Sequence, residues 1–262
     1  MHPALWISKT GLDAQQTDLN VISNNLANAN TIGFKKGHAV FEDLLYQTVR
    51  QPGSASSQNT ILPTGLMMGT GVKTTGIPKT FSQGTLQTTD NELDMAIQGR
   101  GFFQILLPDG STAYSRAGNF ALDQNGQIVT SGSGNPLQPA INVPADSQSL
   151  SIGADGTVSV RLQGQSAPSV IGNLQLADFV NPSGLQPIGD NLFLETQASG
   201  APTVGTPGLA GIGILRGGQL ESSNVNAVEE LIGLIETQRA YEMKAKVISA
   251  VDGMLQYISQ RL

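Results

Sequence analysis

Leucine recurs every seventh residue near the start of the chain, at Leu5, Leu12, Leu19 and Leu26. Near its end Leu234, Tyr241, Ile248, Leu255 and Leu262 keep the same interval. Seven residues are two turns of an α-helix, so each column lies along one face. Ile22 and Ala29, then Leu231, Ala245, Val251 and Ile258, widen the columns into apolar stripes. The pattern predicts a first helix over residues 3–28 and a second over 226–262, the latter roughly 55 Å long. Asn226-Ala-Val-Glu229 fits a capping box, with Glu229 and Glu230 at the positive end of the second helix dipole. Gly11 costs the first helix about 1 kcal/mol relative to alanine, so that helix depends on packing for its stability. Neither helix can bury its stripe alone. Either the chain returns on itself to pair them, or both find other copies.

Between the helices the apolar period falls from seven to two. Met95 and Ile97, then Phe103, Ile105 and Leu107, then Phe120 and Leu122, then Ile128 alternate with other residues, and Asp109-Gly110 and Asn125-Gly126 stand between the runs. Such pairs predict tight hairpins, because glycine tolerates positive φ. Asp155-Gly156 repeats the device ahead of Thr157-Val-Ser-Val160, and 171–179 and 191–195 predict further strands. The expected fold class is α+β: N- and C-terminal helices pairing as a coiled coil, with a central antiparallel β-rich domain. Residues 1–34 form the N-terminal helix of that coiled-coil core, 35–92 an extended connector, 93–218 the β-rich outer domain and 219–262 the C-terminal helix. Within the connector, 41–46 reads as a short helical turn. Residues 51–71 read as an extended Pro/Gly/Ser/Thr loop, too long for an ordinary connection and so either disordered or used by a partner.

Composition narrows the chemistry. Charged residues are 13% of the chain, against roughly 25% in average soluble proteins, and glycine and uncharged polar residues take their place. The net charge is −6 and no basic cluster exceeds Lys35-Lys36, which argues against a nucleic-acid partner. Without cysteine there is no disulfide, thiolate nucleophile or Cys-ligated zinc. The two histidines, His2 and His38, read as solvated. Gly69-Thr-Gly71, Gly99-Arg-Gly101 and Asp123-Gln-Asn125-Gly126 read as turns, since each lacks the remainder of a phosphate, dinucleotide or calcium loop. Glu92 with Asp94 and Glu229 with Glu230 are poor catalytic pairs. No catalytic, cofactor-binding or metal residue is therefore assigned, and no cofactor or small-molecule substrate is expected. The N-terminal residues lack a basic segment followed by an apolar one, so export by a cleaved signal peptide is not expected.

Ser23-Asn-Asn-Leu-Ala-Asn-Ala-Asn-Thr-Ile-Gly-Phe-Lys35 resembles the N-terminal motif of the flagellar rod and hook family. Leu220-Glu-Ser-Ser-Asn-Val-Asn-Ala-Val-Glu-Glu-Leu231, through Thr237-Gln-Arg-Ala-Tyr-Glu242, resembles its C-terminal motif. Leu93-Asp-Met-Ala-Ile-Gln-Gly-Arg-Gly-Phe-Phe103 and Tyr114-Ser-Arg-Ala-Gly-Asn-Phe120 are similar to its middle region, so the resemblance covers nearly the whole chain. Asp43-Leu-Leu-Tyr-Gln-Thr-Val-Arg-Gln-Pro-Gly-Ser-Ala-Ser-Ser-Gln58 resembles the stretch that marks the distal-rod branch and that the hook branch lacks.

The resemblance implies a non-enzymatic structural subunit of the bacterial flagellum basal body. It would be exported unfolded by the type III export apparatus, cross the periplasm as part of a rigid helical tube and transmit motor torque to the hook. Implied partners are other copies of the chain, proximal rod proteins, the hook protein, the surrounding P- and L-ring proteins and the export apparatus. Expected subunit-interface residues are Leu5, Leu12, Leu19, Ile22, Leu26, Leu231, Leu234, Tyr241, Ile248, Leu255 and Leu262. The rod-specific stretch, about 43–63 and including Tyr46, Gln47, Arg50, Gln51, Pro52 and Pro63, is expected to brace neighbouring subunits. Three alternatives stand beside this reading: a proximal rod or hook protein of the same family, a closed coiled-coil oligomeric binding module, or an enzyme of unfamiliar type.

Overall fold

The structure, a computed structural model, describes residues 3–53, 55–57, 60–61, 64–164 and 167–260. Pro3 opens α1 (Pro3–Ala27), where its missing N–H has no helical partner to lose. The second helix, α2 (Ala227–Ser259), is 33 residues long, about 50 Å. Its start is capped by Asn226, whose side-chain oxygen accepts the Val228 N–H at 3.1 Å. Contacts divide the chain into two units. One comprises Met1–Leu26, Gly37–Pro78 and Asn226–Leu262, the other Ala27–Lys36 and Lys79–Val225.

The first unit holds both helices and a long antiparallel ribbon. Val40–Asp43 pairs with Val72–Gly76, Gln47–Arg50 with Leu66–Met68 and Ala55–Ser57 with Thr60–Ile61. Between the first two ladders Leu44 N–H donates to Gly71 O at 2.9 Å and Thr70 Oγ1 to Leu45 O at 2.7 Å. The helical turn expected at 41–46 is therefore a strand followed by extended chain. Cross-strand partners decide it: Glu42 lies opposite Lys73 and meets its Nζ at 3.1 Å, a contact no local helix offers. The loop expected over 51–71 is likewise partly strand. Leu66, Met67 and Met68 pair with Gln47, Thr48 and Arg50, and Gly and Pro are left to the turns. Residues 54, 58–59 and 62–63 of that expected loop, Pro63 among them, lie outside the described residues.

The second unit is the antiparallel β region. Its largest sheet runs Gln186–Gly189, Leu192–Leu194, Thr112–Ser115, Phe102–Leu106, Leu176–Asp178 and Thr203–Gly205, with Leu137–Gln138 also on Phe102–Leu106. The three hairpins expected at Asp109-Gly110, Asn125-Gly126 and Asp155-Gly156 are all present. Alternation along Phe102–Leu106 divides the packing. Phe103 and Ile105 join Met95, Ile97, Phe120, Ile128, Val158 and Leu215 in the main core. Phe102 goes to a second cluster with Tyr114, Phe179 and Phe193. Rings there meet edge to face, Tyr114 with Phe179 at 4.8 Å and Phe102 with Phe179 at 5.8 Å between centroids. That geometry sets the positive edge of one ring on the negative face of the next.

Candidate assembly site

The two helices of the first unit touch along a seam that is largely polar. Lys244 Nζ donates to Gly11 O at 3.0 Å, Thr237 Oγ1 to Asp18 Oδ2 at 3.2 Å and Asn25 Nδ2 to Glu230 Oε2 at 3.2 Å. Each step of seven up α1, from Gly11 to Asp18 to Asn25, is a step of seven down α2, from Lys244 to Thr237 to Glu230. The helices therefore run antiparallel. Asn25 does more than bridge them. Its Nδ2 also donates to Gly37 O at 2.8 Å and its Oδ1 accepts the Gly37 N–H at 3.0 Å, so one buried amide ties the end of α1, the chain leading to the ribbon and the start of α2.

The heptad is real, but the buried column is one residue away from the leucines. On α1 the buried residues are Gly11, Ala14, Val21, Ile22 and Asn25, while Leu5, Leu12, Leu19 and Leu26 are half-buried. On α2, Thr237 and Val251 are buried, Leu234 and Ile248 are half-buried and Leu231 and Tyr241 are exposed. The side chain of Leu255, and the whole of Leu262, lie outside the described residues. Away from the seam, α2 shows solvent Val228, Ile232, Ile235, Met243, Val247, Met254 and Tyr257, each at least half exposed. Apolar residues thus stand on the outward face of α2 as well as beside the polar seam, where Leu234, Ile248 and Val251 lie. The ribbon is as open. Leu45 is 90% exposed, and Tyr46, Gln47, Val49, Arg50, Gln51, Pro52, Leu66, Met67 and Met68 are exposed with it.

In the second unit, the segments that lead to the two helices are fastened together, and no spacing in the sequence announces how. Lys35, beside the exposed-looking Lys36, is fully buried, and its Nζ meets Glu221 Oε1 at 2.6 Å across 186 residues of chain. Lys35 Nζ also donates to Ser82 O at 2.8 Å, and Glu221 Oε1 accepts the Gly84 N–H at 2.9 Å. Arg116 is the third charge, its Nε 3.7 Å from Glu221 Oε2. Burial pushes the Lys35 ammonium below its ordinary pKa; Glu221 opposes the shift and Arg116 adds to it. Burial likewise lowers Arg116, against the pull of Glu221 and Asp178.

Gly33 makes this closure possible. At φ +71° it brings its N–H to Glu221 O at 2.8 Å, and a Cβ there would stand 2.5 Å from Ala117 N. Asn224 completes the join: its Oδ1 accepts the Lys36 N–H at 2.8 Å and its own N–H donates to Phe34 O at 3.4 Å. The one hint in the sequence is that Lys35 and Glu221 are charges standing at the edge of, or within, otherwise uncharged motif stretches, 23–34 and 217–228. Among the described residues, no group of three or more His, Asp or Glu converges as metal ligands do, and no helix is long and apolar enough to cross a membrane.

Three family descriptions match along the chain: the flagella basal body rod protein over residues 6–35, the flagellar hook protein FlgE/F/G D1 domain over 96–160, and the flagellar basal body rod FlgEFG protein C-terminal region over 216–261. The flagellar basal-body rod protein FlgG of Buchnera aphidicola subsp. Schizaphis graminum is 58% identical, over 99% of this chain and all of its own. That of Bacillus subtilis is 38% identical, over 98% of this chain and 97% of its own. In one organism, Caulobacter vibrioides, FlgG is 52% identical over 98% of both chains and FlgF 34% over 95% of this chain and 93% of its own.

Proposed function

The chain belongs to the flagellar basal-body rod protein family, and from that membership we propose that it is the distal-rod subunit, polymerising into a rigid helical tube that carries motor torque to the hook. Preference for the distal rod over the proximal rod or hook rests on its greater likeness to FlgG than to FlgF of the same organism. The observation that carries the polymer reading is the outer face of α2, where Val228, Ile232, Ile235, Met243, Val247 and Met254 are each at least half exposed. In this reading each copy pairs its own helices as a coiled coil, and neighbours cover the outward faces, Leu231, Tyr241 and the half-buried leucine column included.

Contacts of this kind join unlike surfaces and do not close into a ring, so they grow as a filament. Burying the six outward side chains, each about half exposed, yields about 1 kcal/mol apiece at 25 cal/mol per Å². Around a tube every subunit has several neighbours, and the sum overcomes association entropy. The open ribbon braces subunits sideways, and the β unit forms the outer layer. Proximal rod proteins, the hook protein, the P- and L-ring proteins and the type III export apparatus are the further partners this role calls for, with the rod crossing the periplasm.

Ile235→Glu and Met243→Glu test the polymer reading. Both sites are exposed, so each variant should unfold like the parent yet fail to elongate in sedimentation and electron microscopy. Normal filaments from both variants would sink the proposal, and a single closed mass from the parent would favour the closed oligomer. Removing residues 47–58 should leave a folded subunit that builds a softer or bent polymer; a straight, stiff rod would remove the bracing role.

A further inference from the structure

Three buried atoms in the charge cluster of the second unit lack a hydrogen-bond partner: Arg116 Nε, Arg116 Nη1 and Glu221 Oε2. Buried polar atoms are nearly always paired, so three in one place call for an explanation. They belong to groups that face each other. Nε lies 3.7 Å from Oε2, about 0.8 Å beyond a good N–H···O bond. Glu221 spends its other oxygen on Lys35 and Gly84, while Arg116 is held by its Nη2, which donates to Gly99 O at 2.7 Å, and by the Phe102 ring at 5.6 Å.

We propose that the Glu221 carboxylate has two seats, the observed one on Lys35 and a second on the Arg116 Nε–H, and that the cluster is a latch on the segment Ala27–Lys36. Two cations share one carboxylate, so the cluster holds one positive charge in excess. Losing either cation leaves a balanced pair, where losing one partner of an ordinary buried ion pair strands a charge. The segment that continues from α1 can thus release Lys35 without leaving Glu221 unpaired, while the Gln219–Glu221 strand that precedes α2 stays bonded to Leu86–Thr88. Arg116 is a positioning residue in this device: its guanidinium acts through Glu221.

The test is a double-mutant cycle on the full chain with site-resolved amide exchange. Lys35→Met should reduce the folding equilibrium constant of the second unit by less than about tenfold. Lys35→Met combined with Arg116→Met should reduce it by more than about a hundredfold, well beyond the product of the single effects. In Lys35→Met the carboxylate moves toward Arg116, so the Gly84 N–H should exchange at least about tenfold faster while core amides such as Ile97 are unchanged. Where Arg116→Met does not fold, the exchange at Gly84 in Lys35→Met alone remains decisive. A Lys35→Met variant that is as unstable as the double variant, additive single effects, or a Gly84 amide unaltered in Lys35→Met would each overturn the two-seat latch.

Discussion

Gly33→Ala isolates the closure of the two helix-bearing segments from everything else in the β unit. An L-residue at φ +71° costs about 1 kcal/mol before any contact is counted. The new Cβ would then stand 2.5 Å from Ala117 N, 2.7 Å from Ala117 Cα and 2.8 Å from the Arg116 carbonyl carbon, all main-chain atoms that cannot swing away. The segment must retreat by close to an ångström, and the Gly33 N–H to Glu221 O bond at 2.8 Å is lost, a further 1 kcal/mol or so. With the packing loss the expected total is about 3 kcal/mol, which for a unit of this size lowers Tm by roughly 6–12 °C. Gly110→Ala is the control. Its φ is +84° and nothing lies within 4 Å of the added Cβ, so only the backbone penalty of about 1 kcal/mol applies. Denaturant unfolding followed by near-ultraviolet dichroism reads both variants. Equal losses at the two glycines would show that close approach at Gly33 contributes nothing and that the closure is looser than its geometry indicates.

Other perturbations follow the same logic. Burial, with Glu195 nearby, pushes the Tyr114 phenol up to about 12; between pH 10 and 12 the unfolded chain loses its proton first, so stability falls as pH rises through that window. An absorbance titration should show a tyrosinate step near the upper end that Tyr114→Phe abolishes, and a curve unchanged in that variant would count against it. Asn25→Asp removes the donors to Gly37 O and Glu230 Oε2 and sets a carboxylate against Glu230, costing about 3 kcal/mol at neutral pH. The new carboxyl's pKa is raised in the folded state, so the lost stability returns as pH falls toward 4, and an equal deficit at pH 7 and pH 4 would refute this. Gly11→Ala gains about 1 kcal/mol of helix propensity, and its Cβ meets only the flexible end of Lys244 at 3.1 Å. Amide exchange in the middle of α1 should slow about fivefold; faster exchange would mean that the Lys244 bond to Gly11 O outweighs propensity.

Local patterns in the sequence were enough for the helices and hairpins. Seven-residue spacing marks α1 and α2 because two helical turns lie within one short window, and Asp109-Gly110 places a hairpin because only its own two strands are involved. The ribbon was hidden for the opposite reason. Phe41 pairs with Thr74 and Thr48 with Met67, so strand identity there depends on partners far along the chain, and the short segments carry no alternation of their own. Lys35 was hidden more deeply. A lysine next to a second lysine reads as surface, and only the arrival of Glu221 and the Ser82 carbonyl makes its burial tolerable. The leucine column identified the right helix and the right interval but not the face that meets α2, because periodicity alone cannot say which of two adjacent columns a partner will choose.

That displacement by one residue bears on how a polymer of such chains is specified. Apolar contact is non-directional and tolerates sliding, whereas hydrogen bonds and charges penalise a wrong register. With Gly11, Asp18 and Asn25 facing Lys244, Thr237 and Glu230, a slip of one heptad in one direction sets Asp18 against Glu230, two carboxylates. A slip the other way brings Asp18 to Lys244 but sets Val251 opposite Gly11 and takes Glu230 away from Asn25, giving up the three observed bonds for one ion pair. The polar seam therefore fixes which turn of α1 lies beside which turn of α2 within a copy, at little gain in hydrophobic free energy. The apolar side chains that would have made a stronger seam, Ile232, Ile235, Met243 and Val247 among them, point elsewhere and remain available to neighbours. In the assembly proposed above, register is set inside the chain and affinity between chains, so there the helix pair reaches its full stability only in the polymer.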